Sequence, residues 1–298
     1  MPSSRSAVPA RAWVLLLILT LVWGTNWPLF PLATKEVSVW TFRGVALLIA
    51  GPLLLLVARL RGQSLRIERE HWGTLAMATL FYLLLWNIAS TYAAILIPSG
   101  QAAILGFTMP LWLALISWAV LGEELAPRML WAIGLGAGAV GLLIYDGAEA
   151  YALAPLGFFL GLLAGVGWAV GTLILKRRPV GASALVISGW QLTGAGIPTA
   201  IAALALAEGG WFWPSWTSVL IITYIAVVPM SVGNAAWFAI VGMLPANVAG
   251  LSSILVPVVA MISGALVHGE PLGPLQWGAV ACCVGGLSLA LLRPKGPG

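Results

Sequence analysis

Residues 98–127 read PSGQAAILGFTMPLWLALISWAVLGEELAP, and residues 245–274 read PANVAGLSSILVPVVAMISGALVHGEPLGP. Superposed at a constant offset of 147, they pair Pro98 with Pro245, Pro110 with Pro257, Gly122-Glu123 with Gly269-Glu270, and Pro127 with Pro274. The same register, without a gap, pairs Ala132 with Ala279, Gly138 with Gly285, Asn87 with Asn234, and Gly24-Thr25 with Gly171-Thr172. Chance matches Leu and Ala in an apolar sequence; it does not readily repeat Pro, Asn and a Gly-Glu pair in one register. Both stretches are dominated by apolar runs of the length that crosses a bilayer, about 20 residues. They mark an internally duplicated membrane protein.

The rest of the chain agrees. It has 298 residues, of which 61% are hydrophobic and 8% charged, with a mean hydropathy of +1.02. Ordinary soluble domains are roughly 25% charged, so a soluble enzyme and a disordered chain are both excluded. We read ten spans: 12–34, 37–59, 72–96, 98–121, 126–145, 154–175, 183–206, 215–240, 243–267 and 272–292. Pro98, Pro127, Pro155, Pro245 and Pro274 fall at or near span starts, where a missing N–H costs little. The first run is too long for the apolar core of a signal peptide and lacks an A-x-A site, so it is expected to stay as a helix.

The cations orient the spans. Arg5 and Arg11, Arg59 to Arg69, Arg128, Lys176 to Arg178, and Arg293 with Lys295 share one side if ten spans alternate. The other side holds Lys35 with Glu36, Asp146, Glu149, Glu208 and Glu270. The positive-inside rule then makes both termini cytoplasmic. The net charge of +5 serves topology, and no nucleic-acid partner is expected. The adjacent Cys282 and Cys283 sit in an apolar run without metal-ligand neighbours and read as small packers.

The predicted fold class is an all-α polytopic membrane protein of ten transmembrane helices in two inverted five-helix repeats. Residues 1–11 form an N-terminal tail, 12–145 the first repeat, 146–153 a non-cytoplasmic linker, 154–292 the second repeat, and 293–298 a C-terminal tail. Five is odd, so the second repeat enters the membrane from the opposite side. That is the design of secondary transporters, with a site near the midplane between the halves.

These features resemble the ten-helix drug/metabolite transporter superfamily, in its EamA-type branch. The resemblance rests on Trp23-Gly24-Thr25-Asn26, Phe42-Arg43, Pro98…Pro110…Gly122-Glu123 and the counterpart Pro245…Pro257…Gly269-Glu270. It covers nearly the whole chain. It implies a central cavity lined mainly by spans 1, 3, 4, 6, 8 and 9, with spans 5 and 10 at the periphery. It says little of substrate, because such proteins move amino acids, sugars, nucleotide-linked sugars, cations and drugs. The abundance of Trp, 16 residues, is similar to the branch that exports aromatic and other neutral amino acids from bacteria.

Several residues are candidates for the site. Arg43 is the one cation well inside a span; it reads either as a carboxylate partner or as a structural or snorkelling side chain. Tyr82, Trp86 and Asn87 recur at helical spacing in span 3, with Ser90 and Thr91 one turn on. Asn87 and Asn234 would meet near the pseudo-axis; their amides serve either as interhelical ties or as substrate contacts. Trp23, Asn26, Trp168 and Trp237 join the list, as do Gln101 near the outer mouth and Ser252, which with Ser253 precedes Pro257. Pro110 and Pro257 are candidate hinges. Gly134-x3-Gly138 and Gly157-x3-Gly161-x3-Gly165 read as close-packing ridges. Glu123 and Glu270 read as partners for the starts of spans 5 and 10.

No Asp or Glu falls mid-span, which argues against a carboxylate proton relay and for a facilitator or exchanger. His71 and His268 are interfacial and lack companion ligands. No metal and no cofactor is expected, and no catalytic residue: a membrane enzyme would need a buried Ser/His pair or paired acidic ligands. The expected function is a secondary transporter exporting small amphipathic metabolites, aromatic and other neutral amino acids foremost, by alternating access. The rival is an exporter of aromatic cations or drugs. The expected partners are the small-molecule substrate and the lipid bilayer, in the bacterial inner membrane, with the chain working as a monomer.

Overall fold

A computed structural model describes residues 10–122, 124, 127–146, 148–206, 213–236 and 251–291, and every described regular element is helical. Long apolar runs admit little else, since hydrocarbon offers no partner for a free backbone N–H or C=O. Six of the described helices are long and apolar enough to cross a membrane: Val39–Leu60, Arg69–Leu96, Ser99–Leu121, Pro127–Asp146, Pro155–Arg177 and Trp216–Ala236. We label α1 Ala10–Gly24, α2 Leu29–Ala33, α3 Val39–Leu60, α4 Trp72–Thr79, α5 Trp86–Leu96, α6 Ser99–Gly106 and α7 Met109–Leu121. Next come α8 Pro127–Asp146, α9 Ala148–Leu153, α10 Pro155–Arg177, α11 Ala184–Ala205 and α12 Trp216–Ile225. The last two are α13 Leu251–His268 and α14 Pro274–Leu291.

Local chemistry sets many of the ends. Ser38, Ser183 and Ser215 precede α3, α11 and α12, and each hydroxyl accepts from a backbone N–H three residues on, satisfying a donor the helix leaves free. After α7 and α13 the chain turns through Gly122 and Gly269, both at φ +67°. That left-handed geometry favours Gly, which explains the recurring Gly of the Gly-Glu pair.

Two runs expected as single helices are interrupted. The first breaks between α1 and α2, where Trp27 N–H bonds Gly24 O at 3.4 Å and Leu29 N–H bonds Asn26 O at 3.1 Å. These are three-residue turns, and Pro28 has no N–H with which to continue the α pattern. The fourth breaks at Phe107-Thr108, because Pro110 supplies no donor for the Gly106 carbonyl. Pro110 thus starts α7, whereas Pro257 lies inside the continuous α13. Residues 172–175 and 254–255, at the 147 offset from the two breaks, are helical.

A different irregularity does recur. Leu80–Leu85 and Ala226–Val232 are wound as π-helix. These segments overlap at the same offset.

The core is built from pairs that join the two sides of the chain: α3 packs along α11, α8 along α14, α5 along α10, and α13 against α1 and α6. The ridge Gly157, Gly161, Gly165 lies against Leu96-Ile97, Leu105 and Gly106. The ridge expected at Gly134-x3-Gly138 is not formed: Gly134 faces open space and Gly138 only brushes Cys282. The neighbour Gly136 takes the close contact instead, against Leu111. Leu17, Leu56 and Leu204 point outward, as lipid-facing side chains do.

Glu270 departs from expectation too. Its carboxylate crosses to α6, accepting from Ser99 N and Ser99 Oγ, both at 2.6 Å, and from Gly100 N at 3.0 Å. It caps the helix at Ser99 rather than span 10. Glu123 lies outside the described residues. His71 is not without companions, since Nδ1 stands 3.7 Å from Glu68 and 3.9 Å from Glu70. Both carboxylates are exposed, as in many acidic surface groups that hold no ion.

Candidate functional site: the central cavity

The interruptions and the π segments converge. Between them lies a cavity whose space open to water centres is about 100 Å³. A single water needs about 10–15 Å³ of such space, so there is room for several waters or a small solute. The break between α1 and α2 contributes Asn26 and Trp27, with Trp23 and Phe30 on either side. The first π segment contributes Tyr82 and Leu83, followed by Trp86 and Asn87; the second contributes Pro229 and Met230, followed by Asn234. Phe107 enters from the break in the fourth run, Trp168 from α10, Arg43 from α3 and Leu192 from α11.

One wall is aromatic. Trp168 stacks on Tyr82 at 5.8 Å between centroids and meets Trp86 edge-on at 4.6 Å and Phe107 at 5.8 Å. Trp27 extends the wall, edge to face with Trp86 at 6.0 Å and tilted to Phe107 at 6.3 Å. Gly106 makes this possible, since a Cβ there would lie 3.1 Å from Trp86 and 3.2 Å from Trp27. Trp23 spans the cavity's edge, donating Nε1–H to Pro229 O at 3.1 Å.

The opposite character comes from Arg43, which is 2% exposed. Its guanidinium carbon sits 4.1 Å from the Phe30 ring centre and 4.6 Å from that of Phe42. Nε–H donates to Thr91 Oγ1 at 2.5 Å, and Thr91 donates in turn to Asn87 O at 2.6 Å. Among the described residues Nη2 has no partner, nor has Asn26 Oδ1. Cation–π contact stabilises a desolvated guanidinium by about 2 kcal/mol. Among the described residues no carboxylate lies within ion-pair reach of Arg43, and none lines the cavity. The snorkelling alternative for Arg43 is excluded by its burial.

Trp23, Asn26, Arg43, Tyr82, Trp86, Asn87, Trp168 and Asn234 are therefore gathered around one space. Gln101 is not: it is buried elsewhere, its Oε1 accepting from the Tyr151 hydroxyl. Trp237 lies outside the described residues, as does the side chain of Ser252. Asn87 and Asn234 do not clasp each other. Each Nδ2 donates back to its own π segment, Asn87 to Leu83 O at 2.8 Å and Asn234 to Met230 O at 2.5 Å. Trp27, Phe30 and Phe107 are wall residues that the sequence reading missed; Trp27 stands four residues after Trp23, a helical spacing that could have flagged it. Spans 2 and 7 contribute Arg43 and Leu192, although the resemblance placed neither span in the lining. Described side chains of α13 contribute nothing.

A wider crevice of about 610 Å³ opens between α4, α7 and α10, at the end carrying Glu70, Arg177 and Arg178. Met77 and Val170 line it, and Tyr82 and Trp168 are the nearest cavity residues along those two strands of chain.

Comparison with known proteins agrees with this architecture. A solved structure is similar over 94% of this chain and 97% of its own, with a TM-score of 0.66 at 22% identity. An uncharacterized transporter, YvbV of Bacillus subtilis (strain 168), is 26% identical over 279 residues, covering 91% of this chain and 87% of its own. An uncharacterized inner membrane transporter, YedA of Escherichia coli (strain K12), is 27% identical over 283 residues, covering 93% and 89%. A probable amino-acid metabolite efflux pump of Escherichia coli (strain K12) is 28% identical over 292 residues, covering 91% and 92%. The model of the EamA-like transporter family matches residues 11–145 and again 155–292. The chain belongs to the EamA-like transporter family and is a multi-pass membrane transporter.

Proposed function

We propose that this transporter exports small amphipathic metabolites, aromatic and other neutral amino acids foremost, as a facilitator or exchanger. The observation that carries the proposal is the aromatic wall of Tyr82, Trp86, Phe107, Trp168 and Trp27 around a small cavity. Flat apolar faces suit a ligand with an apolar body, and their π faces attract an ammonium. The name of the Escherichia coli relative, a probable amino-acid metabolite efflux pump, points the same way. Trp23, Asn26, Tyr82, Trp86, Asn87, Trp168 and Asn234 are the proposed substrate contacts, with Trp237 and Ser252 still proposed on sequence grounds.

The proposed mechanism is alternating access between two inverted five-helix halves, 12–145 and 154–292. The double match of the family model and the π segments at one offset support the repeat. Support for two interconverting shapes comes from the breaks at 25–28 and 107–108, whose counterparts are continuous helix. The crevice beside Arg177 is the proposed inner approach, a reading that the clustered cations at that end support through the positive-inside rule. The proposed location is a bacterial inner membrane, supported by the name of the Escherichia coli relative YedA, and the same rule supports both termini inside. The aromatic wall would also accept an aromatic cation, which keeps that rival in view, though no anion stands in the described lining.

The test is counterflow in liposomes loaded with tryptophan, threonine or methionine. Faster, saturable uptake of the labelled amino acid than in empty vesicles is expected. Uptake no faster than the empty-vesicle control for all three removes the amino-acid reading, and non-saturating flux replaces the carrier with a channel.

A further inference from the structure

We infer that Arg43 and Asn26 form the polar ends of a zwitterion site, Arg43 Nη2 donating to the carboxylate of an α-amino acid and Asn26 Oδ1 accepting from its ammonium. The inference rests on the carrier reading and sharpens it, because it selects between amino acids and aromatic amines as cargo.

Arg43 is held along one edge only. Phe30 and Phe42 lie 4.1 and 4.6 Å from its guanidinium carbon, and Thr91 accepts from Nε. Nothing in the described protein takes Nη2, although the side chain is 2% exposed and lines the cavity. An arginine kept for structure normally spends its donor fork on carboxylates or carbonyls, since a buried donor left unmet is costly. Here Phe30, Phe42 and Thr91 fix a guanidinium that lines a small cavity, and Nη2 is left without a partner among the described residues. That is the arrangement a charge-assisted bond to an incoming carboxylate requires.

Asn26 supplies the complement. It sits in the α1–α2 break and lines the same cavity, and its Oδ1 is buried with no partner among the described residues. A neutral acceptor with aromatic faces nearby suits an ammonium, and it adds no negative charge to neutralise Arg43. A cargo with a carboxylate relieves the buried cation; a cargo carrying only positive charge meets a like charge in a desolvated site. The site therefore discriminates against amines and organic cations by repulsion as well as by missing contacts.

The experiment measures binding to the purified protein, and counterflow in liposomes, for tryptophan, tryptamine and indole-3-propionate. The second lacks the carboxylate and the third the ammonium. Wild type is expected to bind tryptophan about tenfold or more tightly than tryptamine, the loss of one charged hydrogen bond. Arg43→Gln should weaken tryptophan and indole-3-propionate by about tenfold or more while leaving tryptamine unchanged or tighter, and Arg43→Lys should recover part of the loss. Asn26→Leu should weaken tryptophan and leave indole-3-propionate unaffected.

Equal binding of tryptamine and tryptophan by wild type overturns the inference, and so does an equal loss for all three ligands in Arg43→Gln. If Arg43→Gln does not fold, the wild-type ranking and Arg43→Lys decide. Arg43-dependent binding of indole-3-propionate without counterflow of any amino acid would keep the anion site and remove the carrier reading. Counterflow of tryptophan that ignores Arg43 does the reverse, and binding of none of the three removes both.

Discussion

Gly171→Ala tests whether the aromatic wall depends on how closely α10 approaches the first π segment. A Cβ at Gly171 would lie 2.5 Å from Tyr82 Cβ, 2.7 Å from Tyr82 N and 2.9 Å from Ala78 O. The nitrogen and oxygen are backbone atoms, so no side-chain rotation relieves the clash. The helices must separate by about 0.9 Å to bring the 2.5 Å approach to the 3.4 Å of ordinary contact. Overpacking against backbone atoms falls in the upper part of its usual range, about 2–3 kcal/mol, less the roughly 1 kcal/mol gained by replacing Gly with Ala in a helix. A net loss of about 1–2 kcal/mol lowers the folded-to-unfolded ratio about 5- to 30-fold. The separation also loosens the Tyr82–Trp168 stack, since Trp168 lies less than one turn before Gly171 on α10. The assay is unfolding of purified protein in a denaturing detergent series, followed by counterflow of equal amounts of folded protein. Gly134→Ala in α8 is the control: nothing lies within 4 Å of its Cβ position, so stability should hold or rise slightly. If Gly171→Ala unfolds at the wild-type midpoint, or the two variants fall together, the packing argument is refuted.

Three further outcomes are expected. Trp168→Leu removes a ring that touches Tyr82, Trp86 and Phe107, and should cut counterflow per folded molecule about tenfold while Trp168→Phe retains most of it; equal rates for Leu and wild type would exclude the wall from the transport path. Glu270→Gln weakens the charged clamp on Ser99 and Gly100 and should lower stability by about 1–2 kcal/mol in the same unfolding series, an unchanged midpoint counting against the clamp. Glu36 is held below its ordinary value of 4.5 by hydrogen bonds from the Ser215 hydroxyl, then the Ser215 N–H, then Ser218. A depressed carboxyl stabilises the fold above its unfolded value and stops doing so as pH falls through the folded one. The stability gap between wild type and Glu36→Gln should therefore be fullest near neutrality and narrow as pH falls below the ordinary 4.5, and a gap independent of pH would contradict this.

The span positions were legible because hydrocarbon forces a long apolar run into helix wherever it lies. The ends of α3, α8, α10 and α11 fall within two residues of where composition puts them. The polar-aromatic stripe of Tyr82, Trp86 and Asn87 was legible for a related reason: polar atoms in a span must face something other than lipid. What escaped depends on contacts far along the chain. Gln101 was placed near the outer mouth by depth alone, yet its partner Tyr151 lies 50 residues on. Glu270 caps a helix 171 residues earlier. The glycine ridge in α8 was misassigned by two residues, from Gly134 to Gly136, which is about 200° around a helix. The motif Gly-x3-Gly fits too many of the glycines there to choose a face.

The two π segments show which residue carries information that proline does not. At the 147 offset Pro229 in the second segment corresponds to Tyr82 in the first, so one segment contains a helix-breaking residue and the other does not. Pro110 and Pro257 show the converse, equivalent prolines of which one starts a new helix and the other sits inside a continuous one. A missing N–H is therefore neither necessary nor sufficient for irregular backbone in this chain. In both π segments the recurring feature is an Asn whose Nδ2 donates to the carbonyl four residues back, Asn87 to Leu83 and Asn234 to Met230. That side-chain bond adds a second kind of donor to a carbonyl of each widened turn. The widened turns carry Tyr82 and Leu83, and likewise Pro229 and Met230, into the cavity lining. The two asparagines matched at the 147 offset in the sequence thus each bond the backbone of a π segment at the cavity lining, whichever solute occupies it.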